Sequence, residues 1–238
     1  MIKFENTDVY GFEAAIRGMR NPKNSWHLMD SHSHICWCDA CEHKLDNEEC
    51  NKHVKINNGK LCFKMGDNDK KLTNTLSSAG PVHGKFMRMI NVTVDITAPL
   101  YWWKEFDTYK VGTVANSCST MHKIHAKEFT LDDFSHEHLL DTAKMHLNTT
   151  IEILNIWRKE YSEQEGKLKK DCWWQMIQLL PSSYNQKRTV QLNYEVLCGV
   201  YEYRKNHKLD EWHEFCRWIE SLPYSELITC RVGDVNAE

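Results

Sequence analysis

Hydrophobic and polar residues alternate most clearly just before the middle of the chain. The apolar positions of this segment are Ile90, Val92, Val94 and Ile96, and polar residues stand between them. A period of two is typical of a β-strand with one buried face, so we predict a strand at about residues 86–97. Pro99 lacks the N–H that a neighbouring strand needs, and we expect strand pairing to end there.

Helical spacing dominates most of the remaining chain. A strand and then a helix are predicted for residues 1–20, and a second helix for Asp69–Ser78, which Gly80-Pro81 would end. Further helices are predicted at residues 130–161, 173–180, 189–206 and 209–221, with a charged loop at 163–170. The core-facing positions we expect are Leu72, Thr75 and Leu76 in the second helix, Leu140, Ala143, Leu147, Ile151 and Leu154 in the long one, and Leu209, Trp212, Phe215, Cys216 and Ile219 in the last. Asp132 or Asp133 could cap the long helix. The pattern indicates a mixed, mostly helical α+β fold.

Residues 21–60 differ from the rest because they are polar, rich in Cys and His, and without clear periodicity. We interpret them as an irregular insertion. Cysteine ligands suit zinc when four can reach tetrahedral positions, and the insertion offers Cys36, Cys38, Cys41 and Cys50. The alternative is a loop that carries reduced thiols. A zinc-stabilised interaction module is therefore one hypothesis for this chain.

Length and charge narrow the possible functions. The chain has 238 residues, a net charge of −3 and a pI near 6.5, so nothing suggests a nucleic-acid-binding surface. No apolar run approaches the roughly 18 residues of a membrane span, and the N-terminus lacks a signal-peptide apolar region. The length suits one large domain or two small ones, and we predict a cytoplasmic protein that binds neither nucleic acid nor membrane.

Two segments and one set of scattered basic residues are candidates for ligand binding. Aromatic, charged and hydroxyl residues follow the predicted strand between Ala98 and His122, as in a ligand-binding surface, although an amphipathic helix with a capping loop explains them equally well. Asn193 and Arg204 share one face of a predicted helix; the alternative is that the Asn caps a turn and the Arg extends to solvent. Basic residues that could contact a phosphorylated ligand, or form a solvated face, are Lys85, Arg88, Lys104, Lys110, Lys187 and Arg188.

The order of these segments resembles that of the flavin-dependent thymidylate synthases. That family has a pattern like A-P-I-F-x-x-R-Q-W-x-R-H-R-x-x-S-x-N-E-x-S, which Ala98-Pro99-Leu100-Tyr101 opens and Lys104-Glu105-Phe106 continues. The family then has L-P, an Asn twelve residues after the Pro and an Arg eleven residues further. Pro181, Asn193 and Arg204 reproduce both spacings. Asp69-x-x-Leu72 and Phe86-x-Arg88 also fit the lead-in, so the resemblance covers roughly residues 65–125 and 175–220.

Several arginines of the family pattern are replaced. Thr108-Tyr109-Lys110 stands in place of R-H-R, and Thr113, Asn116 and Ser119 in place of S-x-N-E-x-S. Glu195 and Ile177 occupy two further arginine positions. Because a bidentate Arg is not replaced by an apolar or acidic residue, these changes also favour a second hypothesis: a catalytically altered regulatory protein that binds a nucleotide or flavin on the same fold.

The resemblance implies a fold, a reaction and a set of site residues. The implied fold is a single α+β domain over residues 1–238, with the insertion at about 21–60, an antiparallel or mixed sheet and flanking long helices, assembled as a homotetramer. Flavin (FAD) relays a one-carbon unit from methylenetetrahydrofolate to C5 of dUMP and is reduced again by NADPH, giving dTMP or a hydroxymethyl analogue. The implied cofactor-binding residues are Lys110, Asn116, Asn193 and Arg88; the implied substrate-binding residues are Lys104, Glu105, Ser119 and Arg204, with Arg204 also catalytic.

Overall fold

The computed structural model describes residues 2–35, 54–56 and 61–230, and the chain divides into two compact units. Unit 1 consists of Met1–Lys3, Ile96–Thr108 and Asn116–Thr189, and unit 2 of Phe4–Asp95, Tyr109–Ala115 and Val190–Glu238. Within the described residues, no helix is both long and apolar enough to cross a bilayer. The single domain over residues 1–238 stays a prediction.

The strands form two small sheets. They are β1 (Lys3–Tyr10), β2 (His32–Ile35), β3 (Val54–Ile56), β4 (Leu61–Lys64), β5 (Asn91–Pro99), β6 (Val114–Ser117) and β7 (Asn185–Asn193). The four-stranded sheet has the order β1–β5–β7–β6, and the three-stranded sheet the order β2–β4–β3. In the latter, both neighbours pair antiparallel, with Phe63 opposite Ser33 and Val54.

The helices of the described residues range from one turn to 23 residues. They are α1 (Phe12–Met19), α2 (Asp67–Ser78), α3 (Leu100–Phe106), α4 (Thr120–Lys123), α5 (Asp141–Glu163), α6 (Gly166–Leu179), α7 (Tyr194–Arg204), α8 (Asp210–Glu220) and α9 (Glu226–Thr229). Together with the sheets they confirm the predicted α+β class.

Elements with strong periodicity were predicted well. In β5 the buried residues alternate as expected, and Pro99 is the last residue of the strand. The first 20 residues form β1 and α1. Four of the five predicted inward positions of the last helix are buried in α8, whereas Leu209 is its half-buried N-cap. The predicted start of β5 was five residues early, because residues 84–89 form a 3-10 helix.

Three other predictions were wrong. Residues 189–193 belong to the strand β7, because Val190 and Leu192 alternate with polar residues before the helix begins at Tyr194. The predicted charged loop at 163–170 is mostly the first turn of α6, where Lys167 and Lys170 are exposed and Lys169 is half-buried. The long helix begins only at Asp141, so Leu140 and Ala143 are exposed, while Asp133 caps a separate 3-10 turn together with Thr130.

The second helix, α2, buries a polar face rather than the predicted apolar one. Asp69, Thr73 and Ser77 are buried. A carboxylate oxygen of Asp69 accepts a hydrogen bond from Nε of Arg20 at 2.6 Å, and its other oxygen accepts the backbone N–H groups of Asp30 and Ser31. This buried ion pair compensates the cost of removing both charges from water, which a count of apolar positions does not register.

The interior of unit 1 contains the tryptophans that the sequence placed on a ligand surface. Trp102 and Trp103 are 0% and 1% exposed, so the prediction that the aromatic residues between Ala98 and His122 form a ligand-binding surface was wrong for these two. A separate apolar cluster joins α5 to α6 and is built on Leu147, Ile151, Leu154 and Met176.

The irregular insertion was predicted over residues 21–60, and its described parts are more regular than expected. Short 3-10 turns at Asn21–Lys23 and Trp26–Leu28 lead into β2, and β3 pairs with β4. Cys36, Cys38, Cys41 and Cys50 lie outside the described residues, so the zinc ligands stay a prediction. Among the residues that are described, no group of three or more His, Cys, Asp or Glu is arranged to hold a metal.

Candidate functional site

Helix α7 carries the two residues that the sequence singled out, one at each end. Asn193 is its N-cap, and the side-chain Oδ1 accepts the backbone N–H of Val196 at 3.1 Å. Asn is favoured at this position because its side chain satisfies an otherwise unpaired amide. The alternative that Asn193 acts as a cap therefore explains its Oδ1, whereas the amide Nδ2 lies towards Gly112.

A buried tyrosine anchors the start of α7. The backbone N–H of Tyr194 donates to the carbonyl of Ile90 at 3.0 Å, and its hydroxyl donates to the carbonyl of Pro223. Burial raises the pKa of Tyr194 well above its usual value, so the phenol stays protonated and remains a donor. The position of Asn193 next to it is fixed by these contacts.

At the other end of α7, Arg204 is half-buried between aromatic rings. Its Nε donates to the hydroxyl of Tyr109 at 2.8 Å. The guanidinium carbon lies 4.6 Å from the ring centre of Trp212 and 5.6 Å from that of Tyr109. Such cation–π contacts add to the hydrogen bond, so Arg204 is held in one orientation and does not extend into solvent.

The segment Tyr109–Ala115, here called the 109–115 loop, contacts both ends of α7. Tyr109 holds Arg204, while Gly112 lies against Asn193. Gly112 has a φ of +75°, and a Cβ there would lie 3.0 Å from Nδ2 of Asn193 and 3.1 Å from a methyl carbon of Val196. Only glycine adopts this conformation easily and permits this approach. Arg204, the loop and Asn193 therefore form one surface of unit 2.

The same loop contains a buried polar atom whose partner is not among the described residues. Oγ1 of Thr113 is inaccessible to solvent and makes no hydrogen bond to any residue that the structure describes. A buried hydroxyl without a partner costs free energy. Together with Nδ2 of Asn193 it offers polar groups that a heterocycle could satisfy.

The remaining predicted site residues have separate locations. Arg88 and Lys110 are exposed in unit 2. In unit 1, Lys104 is exposed and Glu105 half-buried on α3, and Asn116 is exposed on β6. Ser119 is the N-cap of α4, where its Oγ accepts the N–H of His122 at 2.9 Å.

A polar network in unit 1 was not predicted from the sequence. The guanidinium of Arg188 lies 4.1 Å from the ring centre of Trp103 and donates to Asp107 at 2.7 Å. Gln186 accepts from Nε of Arg188 and donates to Oγ1 of Thr120 at 2.8 Å. Arg188 was one of the basic residues predicted to contact a phosphorylated ligand or to form a solvated face. In the structure it stabilises the contact between β7 and α3. Gln186, Arg188 and Val190 stand two residues apart, as they would on one face of a strand, and this was the signal available in the sequence. It was missed because a helix was predicted from residue 189 onward.

Three solved structures of similar fold are distant in sequence from this chain. Thymidylate synthase X (ThyX) from Helicobacter pylori, with FAD and dUMP, matches with a TM-score of 0.62 at 13% identity, covering 98% of this chain and 100% of that one. A second complex of that enzyme matches with a TM-score of 0.58 at 13% identity, covering 94% and 96%. The UMP/dUMP methylase PolB from Streptomyces cacaoi, bound with 5-Br dUMP, gives 0.53 at 11% identity, covering 96% and 94%. No protein-family model and no curated protein sequence matches the chain.

These likenesses confirm the predicted resemblance at the level of the fold. The chain has the fold of the flavin-dependent thymidylate synthases over nearly its whole length. Because the identities are only 11–13%, the chemistry has to be argued from the residues of this chain.

Proposed function

We propose that this protein is an FAD-dependent enzyme of the thymidylate synthase type. Its reaction would be a reductive one-carbon transfer to C5 of a pyrimidine deoxynucleotide, from dUMP to dTMP or a hydroxymethyl analogue. Methylenetetrahydrofolate would be the carbon donor and NADPH the reductant. The observation that carries the proposal is the surface on which the 109–115 loop meets both Asn193 and Arg204, in a fold shared with enzymes whose structures contain dUMP.

The residues of this surface fit the ring systems of the proposed ligands. Gly112 leaves room where a Cβ would press on Asn193, and the buried hydroxyl of Thr113 lacks a partner among the described residues. Nδ2 of Asn193 can donate to a flavin carbonyl, and Lys110, Asn116 and Arg88 are the further cofactor-binding candidates. Bound flavin supplies hydride chemistry that protein side chains do not have.

The role of Arg204 is orientation and charge. A guanidinium fixed by Tyr109 and Trp212 is preorganised to hold a pyrimidine carbonyl and to stabilise negative charge that develops on the ring. Because those contacts already restrict its rotamers, little entropy is lost when substrate binds. Lys104, Glu105 and Ser119 are the further substrate-binding candidates.

Assembly into a homotetramer in the cytoplasm completes the proposal. It is supported by apolar side chains on α5 and α6 that are exposed in one chain: Met145 (70%), Ile156 (58%), Leu168 (62%) and Trp174 (40%). Large apolar side chains that stay exposed on two helices packed together are the kind of residue that a subunit interface would cover.

Turnover by purified, FAD-supplemented protein tests the proposal. We expect release of tritium from 5-tritiated dUMP, dependent on methylenetetrahydrofolate and NADPH. Arg204→Lys keeps the charge but loses the planar fork, and should lower kcat/KM about a hundredfold. The matched control, Arg217→Lys, changes an exposed arginine paired with Glu214 and should have no effect. If no tritium is released under any of these conditions, the proposed enzymatic activity is refuted.

A regulatory binding protein on the same fold is the second candidate. It is favoured by the replaced arginines, since Ile177 packs into the apolar cluster of α5 and α6 and Glu195 brings a negative charge to the first turn of α7. This candidate predicts that FAD or dUMP binds without tritium release. Complementation of a thymidine-requiring bacterial strain would exclude it.

A further inference from the structure

A cavity of about 330 Å³ lies within unit 1, among α4, α5 and α6. Its wall carries four basic side chains, His122, His125, Lys169 and Lys170, and two large aromatic ones, Tyr161 and Trp173. No acidic residue of the described chain lines it. Its volume is at the lower end of the range for small-molecule sites, and every charged side chain that lines it is basic.

One wall has a nitrogen whose partner is missing. Nδ1 of His125 is buried and makes no hydrogen bond within the described residues, while its ring packs against Tyr161 with the ring centres 4.3 Å apart. Buried polar atoms are normally paired. An imidazole nitrogen that carries a proton donates well to an anionic oxygen.

The charges around His125 repel its protonated form. Burial, followed by the charges of Lys123 and Lys169, holds the pKa of His125 below its usual value. Nζ of Lys169 is 4.9 Å from the ring centre of Tyr161, on which His125 also packs. A bound anion would relieve this accumulation of positive charge.

The start of α6 adds a further positive end to the cavity. This helix has 14 residues and begins at Gly166 in the cavity wall; its N-cap residue, Glu165, makes no side-chain capping hydrogen bond and is not among the residues that line the cavity, and its first turn has no acidic residue. Helix N-termini favour negative groups. Nε1 of Trp173 donates to the carbonyl of Met121 at 2.8 Å and so ties α6 to α4, which preforms the cavity.

We infer that this cavity binds the phosphate group of a phosphorylated small molecule, with His125, Lys169 and the start of α6 as donors and Tyr161 and Trp173 flanking the organic part. The inference goes beyond the proposed function, because it requires neither flavin nor a pyrimidine.

Calorimetry of the full chain with sulfate and with inorganic phosphate tests the site. Sulfate does not titrate near neutral pH, so its binding should tighten as the pH falls through the pKa of His125. Lys169→Ala should weaken sulfate binding about tenfold. The matched control, Lys167→Ala, removes the same charge from an exposed position of α6 outside the cavity and should leave binding unchanged. Equal losses in the two variants, or no sulfate binding by the wild type, would overturn the inference.

His125→Gln is a second variant for the case in which Lys169→Ala does not fold. Glutamine keeps a hydrogen-bond donor at position 125 but cannot gain or lose a proton. We expect this variant to bind sulfate with a weaker pH dependence than the wild type, since His122 remains in the wall; an unchanged pH dependence would contradict the site. Competition separates two sources of phosphate. If dUMP displaces sulfate and deoxyuridine does not, the cavity holds the nucleotide phosphate; if ribose 5-phosphate displaces sulfate and dUMP does not, it serves another ligand. If no phosphate monoester displaces sulfate, the inference fails, whatever the flavin spectrum shows.

Discussion

Replacing Gly112 by alanine probes the contact on which the candidate site depends. At φ +75° an alanine is strained by about 1–2 kcal/mol. The added Cβ would also stand 3.0 Å from Nδ2 of Asn193. That side chain cannot retreat without lengthening the 3.1 Å bond to the N–H of Val196, and loss of such a cap costs about 1 kcal/mol. We therefore expect Gly112→Ala to lower the free energy of unfolding by about 2–3 kcal/mol.

Gly80 is the matched control for this substitution. It has a φ of +91°, but a Cβ there would meet no atom within 4 Å. Gly80→Ala should therefore show the strain alone, about 1–2 kcal/mol. Urea denaturation followed by tryptophan fluorescence measures both, provided the m-values agree. We also expect Gly112→Ala, and not Gly80→Ala, to weaken FAD binding. Equal destabilisation by the two variants would refute the contact with Asn193.

Three further predictions concern single side chains. Arg204→Gln should weaken dUMP binding by at least about tenfold, measured by calorimetry, and an affinity equal to the wild type would contradict its substrate role. Asp69→Ala should lower the free energy of unfolding in urea by about 3–5 kcal/mol, because it leaves Arg20 buried without its counter-charge; a loss below 1 kcal/mol would refute this. The folded-state pKa of His125 is lowered, so the unfolded chain binds more protons there as the pH falls through about 6.5. Stability should fall accordingly, and His125→Gln should flatten that part of the pH profile; an unchanged profile would argue against it.

Sequence periodicity predicted the elements whose burial is mainly apolar. The strand β5 and the helix α8 follow their patterns because each buries one apolar face. In α2 the pattern failed because a hydrogen-bonded ion pair, Arg20 with Asp69, takes the place of apolar burial. Charged residues at the start of α6 suggested a loop, although lysines are good helix formers when they face solvent.

The candidate site was predicted only in part. The spacing of Asn193 and Arg204 follows from helix geometry once α7 exists, and both do lie at its ends. Their contacts with Tyr109 and Gly112 join segments more than 80 residues apart in the chain, which periodicity does not encode. The burial of Trp103 likewise depends on β7, because its indole N–H donates to the carbonyl of Gln186 at 3.0 Å.

The absorption spectrum of the freshly purified protein, titrated first with FAD and then with dUMP, tests the central claim most directly. The account predicts that FAD binds, that dUMP perturbs the bands of the bound flavin, and that Arg204→Gln removes the perturbation by dUMP. A colourless protein that binds neither added FAD nor dUMP would contradict it.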